Sequence, residues 1–173
     1  MTAAEIAPDR PPRHLWLRFG LAVVAALELL TALGSVQNIF TDYHHQTAYL
    51  RFAQALTSVD LALAPLVSGA ALVFAAIGRT REAILALAAL ILLSWGLDDI
   101  WEIPIHGFEL SWDYGGQAVF FHHFIFPALA FAGAMLAWKN QRLGLAGFLV
   151  CIPTIYNWIG IAVFAIGIMM YGF

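Results

Sequence analysis

The chain has 173 residues, of which 62% are hydrophobic and 11% are charged, and its mean hydropathy is +0.81. A soluble domain carries about 25% charged residues, so this composition excludes an ordinary soluble domain and indicates a polytopic membrane protein. The formal net charge of −3 comes without a basic patch interleaved with aromatic residues, which argues against nucleic acid as a partner.

Five apolar segments are each long enough to cross a membrane as a helix, which takes about 20 residues. Residues 1–13 precede them and are expected to form a disordered cytoplasmic tail, so that residues 14–173 make up one transmembrane domain. The predicted spans are 16–40, 58–77, 83–105, 116–138 and 143–171. The predicted fold class is therefore all-α, a polytopic integral membrane protein with five transmembrane helices.

Positive charges cluster on one side of these spans. With five spans, the N-terminus, the turn at Arg79 and Arg81, and the turn at Lys139 and Arg142 fall on the same side. Seven of the eight Lys and Arg residues lie there, and Arg51 lies opposite. The positive-inside rule then places the N-terminus in the cytoplasm and the C-terminus outside. A bacterial inner membrane is the expected location.

The connection between the first two spans is outside and carries polar residues. His44 and His45 lie in this loop, and Asp60 is expected at the outer end of span two. Residues 47–56 predict an interfacial helical segment that leads into the span. These three polar side chains are therefore candidates for an outward-facing site.

Acids and histidines concentrate at the outer end of the hairpin formed by spans three and four. The six residues are Asp98, Asp99, Glu102, His106, His122 and His123. A charged side chain within a span costs about 2.5–3.5 kcal/mol, so several at one level indicate a functional site. By helix rise, Asp98 lies ~9 Å from the outer end of its span and the two adjacent histidines lie ~8–9 Å from theirs. The two groups are expected to face each other near the extracytoplasmic surface.

By helical spacing, the acidic side chains of span three lie on two different faces of the helix. Asp98, Glu102 and His106 are spaced i, i+4, i+8 and share a face if the helix continues through Pro104. Asp99 points about 100° away.

Carboxylates and imidazoles suit Zn²⁺, Fe²⁺ or Mn²⁺ as ligands. The sequence predicts Asp98, Glu102, His122 and His123 as ligands of such a divalent metal ion. Asp99 or His106 would then act as the general base or as the group that orients a ligand. In a metal-free alternative, a carboxylate–histidine pair moves protons on an apolar substrate, as in isomerisation.

Two polar residues lie deeper in the predicted bundle. Glu28 is ~16 Å below the outer end of span one, near the middle of a hydrocarbon core ~30 Å thick, and is a further candidate acid or base. Thr31 and Ser35 follow it at helical spacing, which predicts a polar face turned toward protein. Asn157 lies in span five. Glu28 and Asn157 are expected to be partners of each other, or the floor of a cavity below the acid and histidine cluster.

Three classes of function fit these features. The first is an enzyme, metal-dependent or acid–base, that acts on a lipid or another apolar small molecule. The second is a proton- or cation-coupled transporter that uses a polar ladder from Asp98 through Glu28 toward Asn157. The third is a non-catalytic subunit of a larger complex, with His106 and His122 as haem ligands, although haem prefers an apolar cage. Membrane lipid is a partner in each class, and an oligomer or a larger complex is compatible with all three.

Overall fold

The computed structural model describes residues 15–40, 48–106 and 119–172, without the side chains of 39–40, 48–50, 98–99 and 101–106. Within these ranges the chain is helical apart from short turns, and no strand occurs. The predicted tail and the loop residues His44 and His45 lie outside the described residues.

Five long helices make up the described chain, and each is long and apolar enough to span a membrane when the turn before α4 is counted with it. They are α1, Leu15–Ser35, with a 3₁₀ extension at Val36–Phe40; α2, Ala48–Ala76; α3, Thr80–His106; α4, Phe126–Trp138, entered through a π-helical turn at Phe121–Ile125; and α5, Leu143–Tyr171. The prediction of an all-helical protein with five membrane-length helices is therefore confirmed for the described residues.

Helix α2 begins ten residues earlier than the predicted span, which was expected from residue 58. Its first residues contain no glycine or proline, so the predicted interfacial segment and the span join in one continuous helix. Asp60 consequently lies ~18 Å inside α2, counted from Ala48, with the predicted interfacial segment before it in the same helix. Its predicted place at the outer end of the membrane span stays a prediction.

Helix α3 continues through Pro104 and ends at His106. The backbone positions of Asp98, Glu102 and His106 therefore lie on one uninterrupted helix, as their predicted common face requires. Their side chains, and that of Asp99, lie outside the described part of the chain.

Helices that follow one another in the chain pack side by side, and α5 returns to contact both α1 and α3. Among the described elements, α2 packs against α1, its 3₁₀ extension and α3, but not against α4 or α5. The interior of the bundle is therefore enclosed by α1, α3, α4 and α5, with α2 on the outside of the α1–α3 pair.

The connections 77–79 and 139–142 lie at one end of the bundle, called the basic end here because Arg79, Lys139 and Arg142 are in them. The packed core lies in the half of the bundle next to this basic end. Ser68 is buried on α2 in this half. The buried hydrophobic residues of the core are alanines and branched aliphatic residues, namely Leu21, Val24, Ala25, Ala71, Ala75, Ala83, Ile84, Leu87, Ala88, Ala130, Ala137, Ala146 and Val150. Small residues at helix contacts let backbones approach closely, which is how helices associate in a membrane without a hydrophobic driving force between them.

Arginine side chains bond the helix ends in this half. Arg18 Nη2 donates to Ala76 O at 2.8 Å, and Arg81 Nη2 donates to Trp138 O at 3.1 Å. The last carbonyls of a helix have no partner within that helix, so these guanidinium groups supply two of the missing donors. The two bonds also hold the start of α1 at the end of α2, and the start of α3 at the end of α4.

Both connections at this end close their helices in the same way. Gly78 (φ 85°) and Asn140 (φ 52°) adopt the left-handed conformation just after α2 and α4. Each is followed by the paired backbone hydrogen bonds of a Schellman motif. Gly and Asn are the residues that accept this conformation most readily, so the sequence specifies two tight hairpins here.

Replacing Gly133 by alanine is expected to destabilise the protein by about 1–3 kcal/mol, because the new methyl group would overpack the α4–α5 contact. Its Cβ would stand 2.5 Å from Val150 Cγ2 and 3.0 Å from the backbone oxygen of Ala146. Gly144→Ala is the control, since a Cβ there meets nothing within 4 Å. Denaturant unfolding of both variants in mixed micelles measures the difference, and equal stabilities would contradict the expected close contact.

Candidate functional site

A cavity of about 110 Å³ lies among α1, α3, α4 with its π-helical turn, and α5. Each of these four walls contributes one polar residue, and the remaining lining is apolar or aromatic. The polar residues are Glu28, Ser94, His122 and Asn157; the others are Leu90, Ile91, Trp95, Phe126, Pro127 and Pro153. Mostly apolar walls with a few convergent polar groups are typical of small-molecule sites.

The cavity lies where the packed core ends. By helix rise, Glu28 is ~15 Å from Arg18, Ser94 is ~20 Å from Arg81 and Asn157 is ~23 Å from Arg142. Beyond this level α5 is loosely packed, since none of its residues 155–171 is buried in the described structure, whereas Ala32 of α1 and Ala53 of α2 are still buried. The cavity is therefore separated from the basic end by the packed core and lies next to the loosely packed half.

Glu28 is a partly buried carboxyl group on the cavity wall. The Thr154 hydroxyl lies close to it, but Thr154 Oγ1 makes no hydrogen bond of regular geometry with any described atom. Thr154 is only 1% exposed. A buried hydroxyl is costly to leave unpaired, so the neighbouring Glu28 carboxyl is its expected acceptor beside the cavity.

The π-helical turn carries both histidines of the predicted cluster, and Pro127 explains it. Proline has no N–H, so Pro127 leaves the carbonyl of His123, four residues earlier, without its helical donor. Phe126 N–H bonds the oxygen of Phe121, which is the five-residue spacing of a π-helix. Trp95 Nε1 of α3 donates to His123 O at 3.1 Å and replaces the missing backbone donor. The local sequence thus fixes where His122 meets the cavity.

The Asp60 side chain contacts α3 from α2, the helix at the periphery of the bundle. Ser94 Oγ donates to Asp60 Oδ1 at 2.7 Å, and both side chains are partly buried. The serine is also a cavity residue, so the Asp60 carboxylate holds a group of the cavity wall without lining the cavity in the described structure.

The predicted metal ligands are only partly described. His122 lines the cavity, and its ring packs edge-on against that of His123 at a centroid distance of 5.3 Å. The backbone of His123 bonds Trp95, which precedes Asp98 on α3 by three residues. Among the described side chains, no group of three or more His, Cys, Asp or Glu is placed to hold a metal ion. Because Asp98 and Glu102 lie outside the described side chains, the metal site stays a prediction.

The predicted polar face of α1 is only partly buried beyond Glu28, with Thr31 exposed and Ser35 partly buried. Thr31 Oγ1 donates to Leu27 O and Ser35 Oγ donates to Thr31 O, both at 3.0 Å, and the Thr31 side chain is exposed. A hydroxyl that bonds the carbonyl four residues earlier in its own helix needs no neighbouring helix. Helical spacing alone therefore overestimated how far the polar face of α1 is buried.

Asn157 joins Glu28 on the cavity wall, in line with the expected floor of a cavity, while Ser94 and Trp95 were not predicted as site residues. The sequence signal that could have indicated Ser94 is a polar residue one helical turn before Asp98 in an apolar run.

Comparisons with protein-family models, with curated proteins and with solved structures gave no match. Any function is therefore argued from the cavity and its residues.

Replacing Trp95 by phenylalanine is expected to lower the free energy of unfolding by about 1 kcal/mol, because the carbonyl of His123 loses its donor while the aromatic packing is kept. Trp158→Phe is the control, since the indole of that partly buried residue bonds no described atom. Denaturant unfolding in mixed micelles compares the two variants. A Trp95→Phe variant as stable as the control would contradict the role assigned to this bond.

Proposed function

We propose that the protein is a membrane-embedded enzyme that moves a proton on an apolar molecule, a lipid or a smaller compound, bound in the cavity. The observation that supports this proposal is that Glu28 and His122, from different helices, line one cavity whose other walls are mostly apolar. A carboxyl group and an imidazole are the side chains most used for general acid–base catalysis. Apolar walls also exclude the water that would compete for the proton.

The simplest reaction of this kind is an isomerisation. One of the two groups takes a proton from a carbon atom of the substrate, and the other delivers a proton to a second carbon as the double bond shifts. The number of protons in the substrate is unchanged, and no oxidant or reductant is needed. Asn157 and Ser94, on the remaining walls, would orient a polar group of the substrate.

A divalent metal ion is a further part of the proposal. Asp98 and Glu102 follow Ser94 by one and two helical turns on α3, toward the end away from the basic connections. With His122 and His123 they have the ligand types that suit Zn²⁺, Fe²⁺ or Mn²⁺. Such an ion would polarise a substrate oxygen, with Asp99 or His106 as the orienting group or base.

A transporter or a haem-binding subunit is less well supported. A transported proton or cation would need a polar path from the cavity to the basic end. The packed core in that direction consists, in the described residues, mainly of alanine and branched aliphatic side chains, and the buried Ser68 donates to Ala64 O of its own helix. This apolar layer favours a ligand that enters the cavity and leaves it on the same side.

The cavity is proposed to open toward the extracytoplasmic half of a bacterial inner membrane. Arg18, Arg81 and the turn at 139–142 share one end of the bundle, and the positive-inside rule assigns that end to the cytoplasm. A C-terminal reporter enzyme that is active only in the periplasm tests this orientation.

Glu28→Gln and His122→Gln are each expected to slow proton transfer by about 100-fold or more, the usual contribution of a general acid or base. Purified protein in nanodiscs is incubated in D₂O with an apolar extract of bacterial membranes. Mass spectrometry then follows deuterium incorporated at carbon. Glu82→Gln is the control, because Glu82 pairs with Arg79 at the basic end, remote from the cavity. Incorporation at an unchanged rate in Glu28→Gln, or none with the wild type, would contradict the proposed enzyme.

Metal analysis of the purified protein is expected to find about one Zn, Fe or Mn ion per chain, with much less in Asp98→Ala and His122→Ala and no loss in Glu82→Gln. A metal-free wild type whose deuterium incorporation is insensitive to chelator would remove the metal ion from the proposal. The acid–base mechanism would then stand alone.

A further inference from the structure

The structure assigns Asp60 a role in ligand selection: we infer that it turns Ser94 into a hydrogen-bond acceptor, so that the ligand places a donor group against α3. The ligand class is an apolar alcohol or amine, rather than a ketone or ether. This inference rests on the proposed function, because it concerns the molecule that occupies the same cavity.

The direction of the Asp60–Ser94 bond carries the argument. A serine hydroxyl has one proton to donate and two lone pairs that accept. A serine within a helix commonly donates to the carbonyl four residues earlier in its own helix, as Ser68 does to Ala64 O at 2.7 Å. Ser94 Oγ instead donates to Asp60 Oδ1, also at 2.7 Å. Its proton is therefore held toward α2, and only its lone pairs remain for the cavity.

The neighbouring donor on the same wall is also engaged. Trp95 Nε1 donates to His123 O, which leaves the aromatic surface of Trp95 as its contribution to the lining. The other two lining residues of α3, Leu90 and Ile91, have no polar side-chain atoms. The α3 wall thus combines one acceptor with apolar and aromatic surface and provides no side-chain donor.

This arrangement discriminates between ligands that differ only in a proton. A hydroxyl or an N–H placed at Ser94 gains a hydrogen bond, whereas a ketone or ether oxygen there faces the serine lone pairs. Leaving a buried acceptor unsatisfied is more costly than the bond itself is favourable, which makes such a site selective. Asp60 acts only through Ser94 and is a positioning residue.

The test compares 2-butanol with 2-butanone, which match in size and differ in whether the oxygen carries a proton. Both molecules are smaller than benzene, which binds in a cavity of about 150 Å³, so they suit the smaller cavity of about 110 Å³. Binding to the purified protein in nanodiscs is measured by calorimetry, with empty nanodiscs as the blank. The wild type is expected to bind the alcohol about tenfold more tightly.

Two variants isolate the two residues. In Asp60→Asn the amide can donate to Ser94 Oγ and release the serine proton toward the cavity, so the preference for the alcohol should fall to about parity or reverse. In Ser94→Ala both compounds should bind with similar affinity. Glu82→Gln, whose acid lies at the basic end, should retain the full preference.

Each outcome bears on a different claim. Equal binding of the two compounds by the wild type overturns the inference and leaves the proposed cavity function intact. A preference that persists in both Asp60→Asn and Ser94→Ala also overturns the inference, because the selection would then arise elsewhere. Binding of neither compound by the folded wild type overturns the proposed occupation of the cavity by an apolar molecule and, with it, the inference.

Discussion

A backbone carbonyl that has no donor within its own helix needs a donor from elsewhere, and this constraint organises the described structure. Arg18 and Arg81 bond carbonyls at the ends of α2 and α4. Trp95 bonds the carbonyl that Pro127 leaves open. Each of these bonds joins two different helices, so satisfying the backbone also fixes how the helices are placed. The π-helical turn that presents His122 to the cavity is one consequence of this requirement.

The same bundle is divided into a packed half and an open half, and the division favours a binding function. Alanine and glycine contacts such as that of Gly133 with Val150 bring the helices together near the basic end. Polar side chains instead occupy the level where this packing stops. A rigid base below a loosely packed rim suits a site that must admit an apolar ligand from the membrane and still hold its polar lining residues in place.

The sequence located the site more accurately than it identified the contacts within it. Helix rise placed Glu28 and Asn157 below the level of His122, as the expected floor of a cavity, and the three line one cavity. Spacing could not reveal that Thr31 and Ser35 bond their own helix, because a hydroxyl has several acceptors within reach. It also separated the interfacial segment from the span at residue 58, whereas the two form one helix from Ala48, since a break in hydropathy does not interrupt a helix made of good helix formers.

By itself, the sequence determined the membrane class, five membrane-length helices and the clustering of basic residues beside the tight turns, because these follow from hydropathy and local turn chemistry. Only the tertiary structure decided which helices enclose the cavity and that Ser94 donates a hydrogen bond to Asp60, 34 residues away. It also decided that Trp95 replaces the donor missing at Pro127. Those pairings depend on how helices distant in the chain are rotated against each other, and no local pattern encodes that rotation.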